Sequence, residues 1–583
     1  MARRRRSASD TFEENGIQII KSYLSAHNHH VEVIDWATDD GFQSLSPRLL
    51  RKLNRIVVEK VMEPSGSTFV KSLLAAICAV TQGLLSKIQW LRMAGKLRRL
   101  AVESKKKQLR FFGIKVWYGE AFYWSKYLTR QIKRLNPECI VIGGGYHASL
   151  YEEDILKYSN FDLAVINKGK EILLSILNLA QELTQNGTKY RKSAMLDRIR
   201  SEASRSNLQG VLYRRNDSIE RAKGNPNLAQ KDSDTVIPRY AENSGKTKVH
   251  ILLDSLGCPW GKCNFCVHNQ FTPSYQTFEI EAILNEIYSI LKQGIALFRF
   301  TGSDTTYTHG KAIAEEIINK GYRIEYSMGA RAVKNCCNEK TYSSVVDAYT
   351  TMIKAGLRAV FIGGECGNDA VNHKIMNKGV KRQDLISTIQ AIREASNQAN
   401  TPIAISLAFI YPTPLFNGIT GDEVLADNLS LLEAAMPDSA VISPPGPFKK
   451  SAWYEEKDKF GFELSDSIIQ TMMEYEYVLY KPLSMWPELG VSLHGKDFRE
   501  VLFESNRFQK IVENELGIPC NLCDEHFMMM RAAGIHTKEE VKRFKRESSL
   551  SIISADGTYL QQISEKVNKH STCLANQNVA IMN

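Results

Sequence analysis

Cysteine is scarce in this chain, eleven in 583 residues. That is too few for a disulfide scaffold, and three of them crowd into nine residues, which points to reduced thiols and a metal. Proline is sparse too, 17 against 36 Gly, and with 43% hydrophobic and 24% charged residues this excludes a collagen-like or disordered chain. No zinc finger or RNP-type aromatic pair accompanies the basic residues, so nucleic acid is not an expected partner. The excess of 75 Lys+Arg over 64 Asp+Glu, +11, lies partly in Arg3 to Arg6 and Lys105 to Lys107. Such runs read as solvated tails or faces, and an anionic small-molecule cofactor would use the same surplus. The most apolar stretch, Phe69 to Leu85, is broken by Lys71, Ser72, Thr81 and Gln82. It lacks the roughly 20 uninterrupted apolar residues of a membrane span and reads as a buried helix. The opening Met-Ala-Arg-Arg-Arg-Arg has no apolar segment behind it and is not a secretory signal. No membrane partner is expected, and the cytoplasm is the expected compartment.

Hydrophobic periodicity divides the chain into two α/β regions, and at 583 residues three or four units are expected. In 1–191, strands are expected at Val31 to Trp36, Phe111 to Val116, Cys139 to Ile142 and Leu163 to Ile166, alternating with helices as a Rossmann-like parallel sheet. Residues 43–107 read as a helical insertion between two of these strands. Residues 192–245, rich in Asn, Ser, Lys and Arg, read as a linker with a small hairpin across Asn216-Asp217. From 246 to 450, six strands (Val249 to Asp254, Leu297 to Thr301, Ile324 to Met328, Ala359 to Gly363, Ile403 to Ile410, Ala440 to Ser443) alternate with helices. This pattern fits a partial (β/α)6 barrel of TIM type, whose chemistry sits at the carboxyl ends of the strands. The tail, 451–583, is expected to be a mainly helical cap over the barrel mouth.

Immediately after the first barrel strand stands Cys258-Pro-Trp-Gly-Lys-Cys263-Asn-Phe-Cys266. Thiolates four and then two residues apart can converge on one metal centre, and three of them leave one iron of a four-iron cluster open. A closed zinc site would need a fourth ligand such as His268, and three inert buried thiols are the remaining alternative.

This loop after the first strand of a partial barrel resembles the radical S-adenosylmethionine (SAM) superfamily, with a first gap one residue longer than usual. The resemblance implies a 4Fe-4S cluster on Cys258, Cys263 and Cys266 whose open iron binds SAM and cleaves it to a 5'-deoxyadenosyl radical. It also implies SAM contacts at successive strand ends. Phe265 lies against the adenine, Thr301, Gly302, Ser303 and Asp304 receive the methionyl amine, and Arg331 takes the carboxylate. Glu365, in a Gly-Gly-Glu segment that leads to Met376-Asn-Lys-Gly379, binds the ribose, and Ser406 and Ile410 line the adenine pocket.

In the first α/β region, Gly143-Gly144-Gly145-Tyr146-His147-Ala148-Ser149 places three glycines where a strand turns into a helix, which lets a bulky ligand approach the backbone. Placed ahead of the barrel, this turn resembles the cobalamin-binding domain of one large class of these enzymes. The resemblance, covering roughly 16–550, implies a corrin rim made by Trp117, Tyr118, Gly119, Glu120, Gly143, Gly144, Gly145, Tyr146, His147, Lys168 and Gly169. The Asp-x-His-x-x-Gly signature of other cobalamin proteins is absent, and Ser7 to Gly16, poor in β-formers, leaves the sheet one strand short. The implied activity is methylation of an unactivated carbon of a small-molecule or peptide natural product through methylcobalamin. An oxidation, cyclisation or rearrangement without methyl transfer, or more remotely a non-catalytic metal-binding protein, are the alternatives. An external electron donor such as flavodoxin or ferredoxin is expected, and no proton-transfer residue is assigned. Cys520-Asn-Leu-Cys523 with His526 nearby reads as isolated thiols.

Overall fold

The structure, a computed structural model, describes residues 2–62, 68–167, 169–185, 190–205, 208–216, 218–223, 236–272, 274–476, 478 and 481–578. Lys168 and Asp217 lie outside the described residues. Two sheets organise the chain. The first has five strands in spatial order β1 to β5: β1 (Phe111–Lys115), β2 (Ile140–Gly144), β3 (Leu163–Val165), β4 (Val211–Arg215) and β5 (Ser218–Arg221). The first three strands are parallel, and β4 and β5 add antiparallel at the edge.

Several expectations fail here for identifiable reasons. Val31 to Trp36 forms no strand, so the sheet begins at Phe111 and the helices of 43–107 precede it instead of interrupting it. The supposed linker is largely part of this unit. Lys192–Ser204 is a helix whose Met195 and Ile199 are buried with the sheet, and the hairpin pairs with β3 through Val211, Leu212 and Tyr213. The hairpin forms as expected, while the polar composition around it hid the helix anchored by Met195 and Ile199. The arginine run is not solvated either, because Arg3 and Arg5 are buried and ion-paired to Glu120 and Asp39 at 2.5 Å each.

Helices α1 (Arg48–Met62) and α2 (Thr68–Lys106) form an antiparallel hairpin against the first unit. The apolar stretch of α2 is not buried as expected: only 22% of its most apolar 18 residues are covered. Among the described residues this is the one helix long and apolar enough, by length and composition, to cross a membrane. Its later turns put Met93, Leu97, Leu100 and Ala101 into the core under β1 and β2, so the helix lies along the body.

The second sheet is fully parallel, with β6 (Val249–Leu252), β7 (Leu297–Phe300), β8 (Glu325–Arg331), β9 (Leu357–Glu365), β10 (Ala404–Ile410) and β11 (Ser439–Ser443) in sequential order. Helices Ile280–Leu291, Tyr307–Asn319, Glu339–Lys354, Arg382–Gln398 and Gly421–Ala435 follow in turn and cover its outside with one continuous apolar core. This is the expected six-stranded partial barrel.

The tail serves both ends of the barrel: at the mouth Trp453 bonds Asn264 of the cysteine segment and packs on Phe265, and the later helices fill the other end. Helix α3 (Asp524–Ala532) plugs the opposite half of the barrel: Arg299 on β7 grips Asp524 with two bonds of 3.0 Å, and the Ser327 hydroxyl on β8 donates to the same carboxylate at 2.8 Å. Met528, Met529 and Met530 pack on Val249 and Leu297. Helix α4 (Thr558–Asn576) closes the amino ends of the strands, where the Ala296 amide donates to Ser571. The inward positions of a strand cannot announce from sequence alone which later segment will fill them.

Glu325 at the start of β8 contacts Arg358 and His570 at 2.9 Å each. Burial opposes its ionisation, but His570 and Arg358 outweigh that and bring its carboxyl down to about 2. Its folded value therefore lies below its unfolded one, so its contribution is complete above the unfolded value and is lost as pH falls through the folded one. On the order of 3 kcal/mol should disappear between pH 5 and pH 2. Urea denaturation across that range is expected to show a shallower pH slope for Glu325→Gln than for the parent.

Candidate metal and cofactor site

Cys258, Cys263 and Cys266 follow β6, and all three are free, partly buried thiols. Their loop is held by a second segment, the turn after β9. The Asn264 amide donates to the Met376 carbonyl at 3.0 Å and its side chain to Ile375 at 2.9 Å, while the Trp260 indole donates to Asn377 at 2.6 Å. Asn377 returns a bond to the Lys262 carbonyl at 2.7 Å, and the Trp453 amide donates to Asn264 from the tail at 3.1 Å. Burial pushes the Cys263 thiol up to about 12, opposed by the positive charge of Lys378; burial also raises Cys266, and the neighbouring Cys258 adds to it.

Geometry separates the metals that suit them. A zinc ion with 2.3 Å bonds to sulfur requires sulfurs about 3.8 Å apart. Among the described residues the three sulfurs form no set within 4.8 Å of one another, with or without His268. As placed here the three sulfurs do not form a closed zinc set. The Nδ1 of His268 is engaged by the Ser303 hydroxyl at 3.2 Å.

Charged groups line up on the next strand ends. The Arg331 amide donates to Asp304 at 3.0 Å, its guanidinium donates to the Lys378 carbonyl at 2.5 Å and stacks over Trp260 at 5.5 Å, and its Nε is buried without a partner. Glu365 has φ +64 at a register shift between β9 and β10, a bulge that re-aims the side chain inward to meet Lys378 at 2.8 Å. Lys378 lies 5.9 Å over the Phe265 ring, which packs on Trp453 at 5.7 Å. Gly302 donates its amide to Asp254 at 3.0 Å, and Thr301 bonds to the Leu252 carbonyl. Asp254 Oδ2, Ser255 Oγ and Thr305 Oγ1 are buried and unbonded, which marks polar ground prepared for a ligand.

Ser406 does not belong here. Its hydroxyl donates to the Leu522 carbonyl at 2.9 Å in the half of the barrel that α3 fills, so the adenine-pocket expectation for it is withdrawn. Lys378, Trp260, Asn264 and Asp254 were not singled out, since their roles come from contacts with loops up to 117 residues away. Cys520 is buried against the Gln509 carbonyl, whereas Cys523, Glu525 and His526 bring their ligand atoms within 4.8 Å.

The rim of the first sheet faces this loop. His147 is buried among Trp117 (4.4 Å), Tyr118 (4.7 Å) and Tyr146 (5.4 Å), its Nδ1 lacks a partner, and burial and then Lys115 bring it down to about 4. It is therefore a neutral imidazole with one free nitrogen. Trp117 and Tyr146 stand exposed beside it, and Tyr146 reaches Phe271 at 5.0 Å and His268 at 5.9 Å across the boundary. Gly143 packs on Phe161 and Val116, leaving no space for a side chain, and Gly144 and Gly145 continue the turn beside Val165 and Lys115. Gly169 opens the helix after β3. Gly119 donates its amide to Met473 at 2.7 Å. Glu120 is not a rim residue: buried against Arg3, Arg6 and the Trp124 indole, it is committed to the interior. Lys449 and Lys450 tie Asp154 and Glu152 to the segment leaving the barrel.

Gly379 has φ +75, and a Cβ there would lie 2.5 Å from the Trp260 ring. Because Trp260 is fixed by Asn377 and Arg331, Gly379→Ala is expected to cost about 1–3 kcal/mol and to loosen the thiol loop. A fall in the denaturation midpoint with reduced iron uptake on reconstitution checks it.

Fold and site thus define a two-sheet α/β protein with a three-thiol metal loop at the mouth of a half barrel. Residues 253–413 match the Radical SAM superfamily, and the chain carries a radical SAM domain. It is 21% identical over 258 residues to the anaerobic magnesium-protoporphyrin IX monomethyl ester cyclase of Rubrivivax gelatinosus, a match spanning 42% of each chain. The fold is similar to that of the radical SAM methyltransferase TsrM from Kitasatospora setae, solved with cobalamin and a [4Fe-4S] cluster (TM-score 0.54, 16% identity, 77% of this chain and 91% of that one). A second structure of TsrM, with tryptophan and a SAM analogue, gives TM-score 0.55 at 15% identity over 91% and 96%.

Proposed function

We propose that this chain is a cobalamin-dependent radical SAM enzyme, acting through Cys258, Cys263 and Cys266 and most simply as a methyltransferase on a carbon of a small-molecule or peptide substrate. The observation that carries this reading is the meeting of two surfaces: a loop of three free, partly buried thiols after the first barrel strand, and an aromatic rim with a free imidazole nitrogen, in contact through Tyr146, Phe271 and His268. When bound, the cluster supplies an electron to cleave SAM, and cobalamin supplies a methyl carrier.

The residues of the chain bind, orient and exclude water. The Arg331 guanidinium, with its free Nε, is the carboxylate partner for SAM, and Asp304 is the amine partner on the neighbouring strand end. Thr301, Gly302 and Ser303 shape that strand end, Glu365 held by Lys378 faces the ribose, and Phe265 backed by Trp453 faces the adenine. Trp117, Tyr118, Tyr146 and His147 with Gly143, Gly144 and Gly145 form the corrin rim, which Gly169 extends. Proximity of the two cofactors does the rest, and no general base is required. A flavodoxin- or ferredoxin-type donor supplies the electrons.

A second reading, ring closure or oxidation without methyl transfer, is favoured by the cyclase name of the curated relative. Anaerobic reconstitution with iron and sulfide, followed by SAM and a strong reductant, is expected to yield 5'-deoxyadenosine and to retain added cobalamin on the protein. Failure to take up either cofactor would sink the proposal. Product mass, with or without one added methyl, decides between the two outcomes.

A further inference from the structure

We infer that the α1–α2 hairpin is a docking surface for an anionic lipid bilayer. Residues 48–107 carry fourteen Lys and Arg against three Glu, an excess of eleven that equals the net charge of the entire chain, so everything outside this hairpin is balanced. The same sixty residues supply twelve of the large apolar side chains that stand exposed in the described structure, with ten from all the rest.

The two properties are interleaved. The open face of α1 consists of Arg48, Leu49, Lys52, Leu53, Ile56 and Lys60, with no acid among them and Leu49 81% exposed. Along α2, Leu73, Ile77, Val80, Leu84 and Leu91 form one exposed stripe spaced by three, four or seven residues, and Ser72 to Ser86 contains no charge. Beyond it stand Lys87, Arg92, Arg98, Arg99, Lys105 and Lys106, all exposed. Among the described residues Glu547 pairs with Arg55, Glu32 pairs with Lys107 and Asp556 faces the buried Arg51; of the hairpin's own acids, Glu59 is taken by Arg546.

An apolar stripe with lysines and arginines at its margins, on a helix whose later turns are packed into the core through Met93, Leu97, Leu100 and Ala101, describes an element lying in a membrane interface and not one spanning it. Charge decides between occupants. A second copy would oppose one excess of eleven with another, whereas phospholipid headgroups neutralise the charge and the acyl region takes the leucines.

The test is flotation of the full chain with vesicles of phosphatidylcholine alone or with about 30% phosphatidylglycerol, at low and high salt. Binding is expected only to the anionic vesicles and is expected to weaken in high salt. Each charge removed, as in Lys52→Gln or Arg48→Gln, should lower partitioning about five-fold. Leu73→Gln with Val80→Gln, which leaves the charge unchanged and alters no buried residue, should lower it about ten-fold or more at an unchanged melting temperature. Equal recovery with both vesicle types, or full binding by the Leu73→Gln/Val80→Gln variant, overturns the inference. So does a dimer by light scattering that this variant dissolves while vesicles are ignored, because the hairpin is then a contact between copies.

Discussion

Replacing Cys263 by alanine is expected to abolish both cluster assembly and SAM cleavage. Iron bound after reconstitution should fall from about four per chain to near zero, and 5'-deoxyadenosine formation should drop about a thousand-fold or more, since a cubane with two thiolates left is not retained. The same holds for Cys258 and Cys266. Cys520→Ala, whose thiol is buried away from the loop, is the control and should assemble a full cluster. Iron analysis, the visible spectrum and product chromatography read all four variants. A Cys263→Ala protein that still held four irons and cleaved SAM would place the chemistry elsewhere.

Removing the N-terminal arginines should cost the fold nearly as much as losing a piece of its core. Arg3 lies within 2.5 Å of Glu120 and also contacts Glu476 and Ser86, so it joins the first sheet, the hairpin and the tail; Arg4 bonds Gln82, Gln89 and the Ile553 carbonyl. Burial acts against the Glu120 carboxylate, but Arg3, the Trp124 indole and Arg6 hold it below its ordinary range. A variant with Arg3→Met and Arg5→Met takes the Arg5 counter-charge from buried Asp39 and leaves buried Glu120 only the longer Arg6 contact at 3.4 Å, a loss of about 3–5 kcal/mol. The sign with pH follows. In the parent the Glu120 contribution is present above the unfolded carboxyl value and fades as pH falls through the folded one. In the variant, burial raises the carboxyl instead, so the defect narrows as pH falls. Adding Glu120→Gln should recover part of the loss, because a neutral amide is cheaper to bury. Denaturant melts at pH 7 and pH 5 check both statements, and an additive, pH-independent effect would show that the arginines act only as packing.

Legibility from sequence followed the range of the signal. All six barrel strands and their five helices were readable, because each is a local apolar period closed by local turns, and because a parallel sheet with helices outside buries both faces of every strand. The thiol loop was readable for the same reason: three ligands within nine residues need no folding to be seen. The N-terminal region was harder. Val31 to Trp36 has strand composition but no neighbour to pair with, while Val211 to Tyr213 sits in a polar stretch and finds an edge at β3. Strand formation is decided by the partner, which composition does not name.

Charge was read least well. The arginine run looked solvated and is an internal clamp; Ser406 looked like a cofactor contact and serves Leu522; Glu120 looked like a rim residue and is Arg3's partner. Each side chain took its role from a residue well outside its own segment, from 34 positions away for Arg5 and Asp39 to more than a hundred for Ser406 and Glu120. Sequence by itself determined the barrel, the triple glycine turn and the three thiols, since these rest on neighbours a few residues apart. How the tail serves both ends of the barrel, how Lys378 and Trp260 brace the metal loop, and which apolar helix face stays open to solvent were decided only in three dimensions, where burial and charge pairing depend on segments that meet through folding.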